Sequence, residues 1–579
     1  MGNVTKPSMV RRIRLLAVTA NRLECTPRQV VGSLLRLWCQ AAYPALPAAP
    51  LPYSKKFACE SVAIDFVQTL AHLDFLDAAY WLSSSYAMLL AEAKRKRLAM
   101  FFTPVSLTRG LLDDLAKQGV NFSTETFMDP ACGGAAFLAP IAMRMKQALA
   151  AKGKSARQIL RHVETHIRGA DLDRTLCELS RQFLCMALHR EIEVTGYVPS
   201  FKVNRADSLT GLRQSYSKID VVVCNPPYRK MTTHELTRLH RPYSEMLSGQ
   251  PNLYGLFIAL CVRLVRKDGV AALVTPTSFL SGQHFGPLRT FLMRHTDVAH
   301  IGMVSDRQGV FIDVEQETAL TVLRRRAPRA LPQLNACISV VSATGQYQNV
   351  GEYRLPNSGS VWPVPRSVED VDLLERASLS PFRLADYGYR VRIGAFVWNR
   401  DERPTYASRN QVRKAKAVTA VPLLWSSDIA GSKSVTLEQR PKFEDEHRYV
   451  DLGDKTHRSV VTSPSVVMQR VTSNDQPRRL VAVPVAPSVA KSHGGFVGEN
   501  HVVILEQTDD RVALSPRQLA LLLRSHPIDR YFRCISGSTN VSAFELNQLP
   551  LPDPQAFKAA LAEDHSVDDA VVAAFGTAD

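Results

Sequence analysis

Asn225, Pro226, Pro227 and Tyr228 stand in succession directly after an apolar run, 219–224 (IDVVVC). This group suits one kind of chemistry: presenting a weak aromatic amine to an electrophile. An amine conjugated to a ring is a poor nucleophile because its lone pair is delocalised. Two acceptors aimed at its two N–H bonds favour a more tetrahedral nitrogen, and the Asn225 side-chain oxygen and the Pro226 carbonyl can supply them. The consecutive prolines stiffen the segment and fix where both oxygens point. Tyr228 can stack on the ring and hold it against the electrophile. Read in isolation, the same residues are also a rigid polar turn.

Upstream, Asp129-Pro130-Ala131-Cys132-Gly133-Gly134 ends one apolar run and opens a helical pattern near Ala136. Glycine here lets backbone approach a ligand closely. The turn contains no lysine for phosphates, so Asp129, Ala131, Cys132 and Gly133 point to a nucleoside cofactor without phosphates. Ile167-Arg168-Gly169-Ala170-Asp171 ends a second apolar run. A carboxylate in that place can accept both ribose hydroxyls. Asp171 is the candidate; Asp173 competes but also reads as the start of the next helix. Asp207, in Arg205-Ala206-Asp207-Ser208-Leu209, can accept from an adenine amine, or can be an ordinary turn aspartate.

These residues need a frame. Between about 98 and 330, strand-length apolar runs at 125–129, 166–170, 219–224 and 270–275 alternate with helical patterns at 105–118, 136–150, 174–190, 253–267 and 284–295. Such alternation predicts a mostly parallel sheet with helices on both faces, an α/β Rossmann-like core. The candidate residues then fall at carboxyl ends of strands, where open α/β sheets bind ligands. Residues 1–97 predict a helical N-terminal region with a proline-rich break at 44–52. Residues 331–380 read as a connector, 381–555 as a second globular region with short strands, and 556–579 as a C-terminal tail, a helix with a frayed end.

The chain has 579 residues and a formal charge of +17, from 71 Lys and Arg against 54 Asp and Glu. That excess favours a polyanionic partner. The 10 cysteines include no C-x-x-C pair, so neither a zinc site nor a redox motif is suggested, and no metal is expected. No signal peptide and no apolar run long enough for a membrane span is expected, which suggests a cytoplasmic protein.

The order of these elements resembles the adenine-N6-specific DNA methyltransferases of type II restriction–modification systems, the Asn-Pro-Pro-Tyr family. Phe102-Thr103-Pro104 ahead of the glycine turn is similar to the family's gamma-class arrangement. Phrases in the C-terminal half look like the recognition half of stand-alone type II enzymes: Val397-Trp398-Asn399-Arg400, Gln469-Arg470-Val471-Thr472 and Glu499-Asn500-His501. The resemblance covers roughly 98–555.

It implies S-adenosylmethionine as cofactor, with Thr103 packing over its methionine part and Phe257 near it. It implies an adenine flipped out of double-stranded DNA, held by Tyr228 and Phe311. Residues 381–555 would be an α+β target-recognition domain, with Arg470, Arg478, Arg479 and Asn500 as candidate DNA contacts. Expected partners are double-stranded DNA and a separately encoded restriction endonuclease, with the chain a monomer in a prokaryotic cytoplasm, associated with the nucleoid. Two positions depart from the family: Ala135 stands where a glycine is usual, and Ser208 where an aromatic often stacks on adenine. Other readings are an RNA or protein-glutamine amine methyltransferase and an inactive DNA-binding relative.

Overall fold

The computed structural model describes all residues except 1–4, 99, 101, 305–316, 328–329, 430–434, 436–441, 455–456, 473–474, 509–510, 564 and 577–579. The chain divides into two compact units, one of residues 1–279 and 284–359, the other of residues 280–283 and 360–579.

The first unit is built on nine strands: β1 (Phe127–Asp129), β2 (Ile167–Asp171), β3 (Lys202–Arg205), β4 (Ile219–Cys224), β5 (Val265–Pro276), β6 (Thr296–Val304), β7 (Thr318–Arg325), β8 (Asn335–Val341) and β9 (Tyr347–Arg354). They lie in the order β3-β2-β1-β4-β5-β7-β6-β8-β9. From β3 to β5 all pairings are parallel, whereas β7 runs antiparallel to both β5 and β6. Strand order reverses at β1, which sits between β2 and β4. The crevice where ligands bind in open α/β sheets therefore opens at the carboxyl ends of β1 and β4.

The sequence explains the central strands. In β4 every residue but Asp220 is fully buried, the run of apolar side chains that a strand covered on both faces requires. Helix Arg174–Ala187 follows β2 because Asp173 caps it: its carboxylate accepts from the Thr175 and Leu176 N–H groups at 2.8 and 3.2 Å.

Three expectations are corrected. The described residues up to 97 are helical but not a separate body. Their helices share one apolar core with the sheet, running from Met9 and Trp38 through Phe127 and Phe183 to Val322. Trp38 meets Phe183 edge-on at 6.2 Å, and Arg28 pairs with Glu178 at 2.7 Å. The supposed connector contributes β8 and β9 to the sheet and helix Val368–Ser378 to the second unit. Its strands are hard to see because they lie at an edge; β9 buries only two of eight residues, Val350 and Tyr353. The tail, expected as one helix with a frayed end, holds two helices, Pro554–Ala562 and Val567–Phe575, whose Phe557, Ala570 and Val571 are fully buried.

The second unit carries two four-stranded sheets. Its strands are β10 (Tyr389–Ile393), β11 (Thr405–Tyr406), β12 (Ala420–Leu424), β13 (Tyr449–Asp451), β14 (Ser465–Gln469), β15 (Ala482–Pro484), β16 (Val497–Gly498) and β17 (Val502–Gln507). They pair in the orders β10-β17-β14-β15 and β11-β13-β12-β16. An α+β composition was expected for this region.

Candidate active site

A cavity of about 400 Å³ opens at the carboxyl ends of β1 to β4, within the size range of small-molecule sites. Its walls include Thr103, Asp129, Ala131, Cys132, Gly133, Asp171, Asp207, Ser208, Asn225, Pro227 and Phe257. The sequence candidates for cofactor and catalysis thus converge, with two exceptions: Pro226 and Tyr228 adjoin the cavity without lining it.

The glycine turn is pinned from three sides. Cys132 N–H donates to the Ala170 carbonyl of β2 at 3.0 Å, and Gly133 N–H donates to Asp171 Oδ2 at 3.0 Å. The Ser180 hydroxyl donates to the Gly133 carbonyl at 2.7 Å. The Ser208 hydroxyl, buried, donates to the Pro130 carbonyl at 2.6 Å. Ser208 therefore ties the end of β3 to the turn, where an aromatic would have offered a stacking face. Gly134 answers a different need: a Cβ there would lie 1.9 Å from the Ser83 hydroxyl oxygen of helix Phe75–Leu89. Ala135 has φ +58 and is absent from the walls of this cavity. The departure from glycine changes backbone energetics and leaves the cofactor's space alone.

Both acidic groups of the turn feel burial. Asp129 accepts from Ala131 N–H at 2.9 Å, yet burial pushes its carboxyl up to about 8. Burial likewise pushes Asp171 up to about 6, against backbone donors from Asp173 and Gly133. Asp173 is occupied as a helix cap and also accepts from the Tyr86 hydroxyl at 3.0 Å. Of the two aspartates weighed for the ribose, only Asp171 faces the cavity.

At the opposite wall, Asn225 is held at both ends of its amide. Its Nδ2 donates to Thr103 Oγ1 at 2.9 Å, and its Oδ1 accepts from the Tyr228 hydroxyl at 2.6 Å. That hydroxyl also lies 2.8 Å from the Val274 carbonyl of β5. Burial pushes the Tyr228 hydroxyl well above its usual range, so it stays protonated and available as a donor. The Tyr228 ring packs edge-on against Tyr254 at 6.1 Å. Thr103, expected over the cofactor, thus also orients the candidate catalytic amide.

Several cavity residues escaped the sequence reading. Arg229, Glu235 and Arg238 reach the wall from the segment after Tyr228, and Arg97 and Leu98 from helix Glu92–Leu98. Arg238, on helix Thr233–Tyr243, forms an ion pair with Asp207 Oδ2. Arg229 grips Glu235 with both terminal guanidinium nitrogens, which draws the Glu235 carboxyl down to about 2. No motif announces these pairs, because the partners' spacing depends on how the helix folds back. Phe311 lies outside the described residues.

In the second unit, Arg479 is fully buried and cannot reach DNA. Its guanidinium donates to the Ser536 hydroxyl and the Ser538 carbonyl at 2.9 and 2.8 Å, and its N–H donates to Asp529 at 2.6 Å. An arginine spent on closing loops was indistinguishable in sequence from one spent on bases. Arg478 is exposed, and Arg470 and Asn500 are half-buried, with Arg470 donating to the Asn500 carbonyl at 2.8 Å. A hydrolase-like string, Asp114–His300–Ser339, with contacts of 2.6 and 3.0 Å, is buried beside β6 and β8 and lines none of the cavities described.

Residues 77–354 match the family described as N-6 DNA Methylase, a stretch that covers the whole nine-stranded sheet and the cavity. Over these residues the chain is similar to N-6 DNA methylases. Among characterised proteins, the chain is 24% identical over 379 residues to the Type II methyltransferase M.BsuBI of Bacillus subtilis, covering 63% of this chain and 71% of that one. It is 24% identical over 356 residues to the Type II methyltransferase M.PstI of Providencia stuartii, covering 59% and 66%. In fold, it matches the Type IIL restriction-modification enzyme MmeI, solved in complex with DNA, with a TM-score of 0.56 at 12% identity, over 99% of this chain and 94% of that one.

The methylase cavity fits S-adenosylmethionine, the cofactor of this fold. A carboxylate, Asp171, stands at the end of β2 where it could accept from ribose hydroxyls, a second, Asp207, follows β3 where it could accept from a base amine, and Gly133 lines the same cavity.

Proposed function

We propose that this chain methylates the exocyclic N6 amine of an adenine extruded from double-stranded DNA, with S-adenosylmethionine as donor. The observation that carries the reading is the shared cavity: Asn225 and Pro227 form one wall, and Asp171, Gly133 and Asp207 form another. A methyl acceptor at Asn225 and a donor held at Asp171 would therefore meet.

When bound, S-adenosylmethionine supplies a methyl carbon already activated by a positive sulfur. The chain's own residues align and desolvate. Asp171 accepts from ribose hydroxyls, Asp207 from the cofactor's amine, and Phe257 closes the apolar side. Asn225 Oδ1 and the Pro226 carbonyl accept the two N–H bonds of the target amine, which shifts its lone pair out of the ring. Most of the acceleration comes from proximity and alignment. Extruding the base costs a few kcal/mol, which stacking and the two acceptor bonds offset.

The type II relatives favour a role in restriction–modification, with a separately encoded endonuclease that this methylation blocks, and a monomer acting in a prokaryotic cytoplasm. The test is methylation of duplex DNA by the purified chain, with nucleoside analysis of the product. N6-methyladenine is expected from the wild type. Asn225→Ala should lose at least about a hundredfold in kcat, the scale for removing a positioned acceptor or donor, while donor binding persists. Undiminished turnover in that variant, or methyl groups on RNA or protein instead, would overturn the assignment.

A further inference from the structure

The second unit contains a basic basin that none of the sequence candidates touches. It is a shallow concavity of about 750 Å³ lined by Arg390, Arg392, His457, Arg458, Thr462 and Ser463, with Glu506 at its floor. Arg390 and Arg392 stand two residues apart on one face of β10, about 6.8 Å along the strand. Glu506 lies directly across from Arg390 on β17 and is buried. Its Oε2 accepts from Arg390 Nε and Arg392 Nη1, both at 2.8 Å. Arg392 also donates to the Arg458 carbonyl. One buried carboxylate thus fixes two guanidinium groups and the loop that carries a third.

The charge count matters. Three arginines face one carboxylate, so the basin keeps a surplus of positive charge even with Arg390 and Arg392 both paired to Glu506. The Arg390 side chain remains 60% exposed while paired, and each guanidinium has five N–H donors, of which Glu506 uses only a few. Threonine and serine hydroxyls stand at the rim. The nearby Asp401 is neutralised by Arg403.

We infer that this basin is a phosphate-binding surface for the backbone of duplex DNA, with Arg390 and Arg392 addressing neighbouring phosphates of one strand and Arg458 contacting from the facing loop. Fixed, partly exposed guanidinium groups and hydroxyls are the donors that phosphate oxygens take, and such contacts set register on the duplex without reading bases. The inference rests on the DNA reading above and names where in the second unit the backbone is held.

The test is anisotropy of a labelled duplex of arbitrary sequence, titrated with the full chain between about 50 and 200 mM salt. Arg458→Ala and Arg390→Ala should each weaken binding severalfold at low salt and lower the slope of log K against log salt by about one. Arg390→Lys and Arg458→Lys should restore most of both. Lys154→Ala, an equal loss of charge on an exposed turn of the first unit, should leave the slope unchanged. Duplex binding by the wild type with an unaltered slope in both alanine variants overturns the basin. So does an equal fall in Lys154→Ala, or a basin-dependent preference for single-stranded RNA. Failure of the wild type to bind any duplex overturns the DNA reading itself. Thermal unfolding and donor binding that match the wild type show that Arg458→Ala is folded.

Discussion

The Tyr228 hydroxyl donates to the Asn225 amide oxygen at 2.6 Å, the same oxygen proposed to receive the target amine. With Thr103 on the other end of the amide, this bond sets which way the oxygen points. Tyr228 therefore works through its hydroxyl as well as through any stacking by its ring.

Tyr228→Phe keeps the ring and removes the hydroxyl. One hydrogen bond is worth about 0.5–1.5 kcal/mol net, so kcat should fall by up to about tenfold. The donor Kd should not change, because Tyr228 does not line the cofactor cavity. Single-turnover methylation with donor calorimetry separates the two. Full activity in the variant would mean that the amide needs no such partner.

Cofactor affinity should depend on pH through Asp171. Its folded carboxyl sits at about 6, raised by burial, and only the ionised form accepts from both ribose hydroxyls. Affinity should be full above pH 7 and fall as pH drops through 6. Asp171→Asn should bind the donor weakly at every pH and flatten the profile. Asp129, higher still at about 8, accepts from its own turn's backbone N–H and should contribute little to that profile.

Arg238 holds Asp207 from the helix after Tyr228. Both groups are partly exposed, so screening keeps the pair modest. Arg238→Ala should raise the donor KM severalfold with little change in kcat, because it loosens a carboxylate that binds without reacting. Arg238→Lys should recover part of the loss. An equal fall in kcat would instead tie that helix to the target base.

Ala135→Gly should be tolerated. An alanine at φ +58 carries about 1–2 kcal/mol of strain that glycine lacks, offset by the greater freedom of glycine in the unfolded chain, about 0.4–1 kcal/mol. The net change in unfolding free energy should lie between zero and about 1.6 kcal/mol in favour of glycine, with donor affinity unaltered. Gly134→Ala should be far worse, because its methyl would meet Ser83.

Much of this site could be read from residue order alone. The run 219–224 is wholly apolar but for Asp220, and the structure makes it a strand over the same residues. Asp171 was separable from Asp173 because a carboxylate two residues on suits a helix start, and Asp173 does cap one. What stayed hidden were contacts decided by tertiary packing. The Arg238–Asp207 pair spans 31 positions, and nothing local marks it. Arg479 looked like any basic residue in a polar loop, yet it is enclosed by Thr472, Ser536 and Ser538. The edge strands β8 and β9 alternate too weakly, with polar outer faces, to stand out from a loop.

Because helices from Met9 to Leu90 pack into the same interior as the sheet, and because Ser83 presses on Gly134, the first compact unit begins well before the glycine turn. A chimaera meant to exchange target preference should carry residues 1–359 together. A graft that starts at residue 98 would strip the apolar flank beside Phe183 and should yield aggregated protein, whatever recognition half it receives.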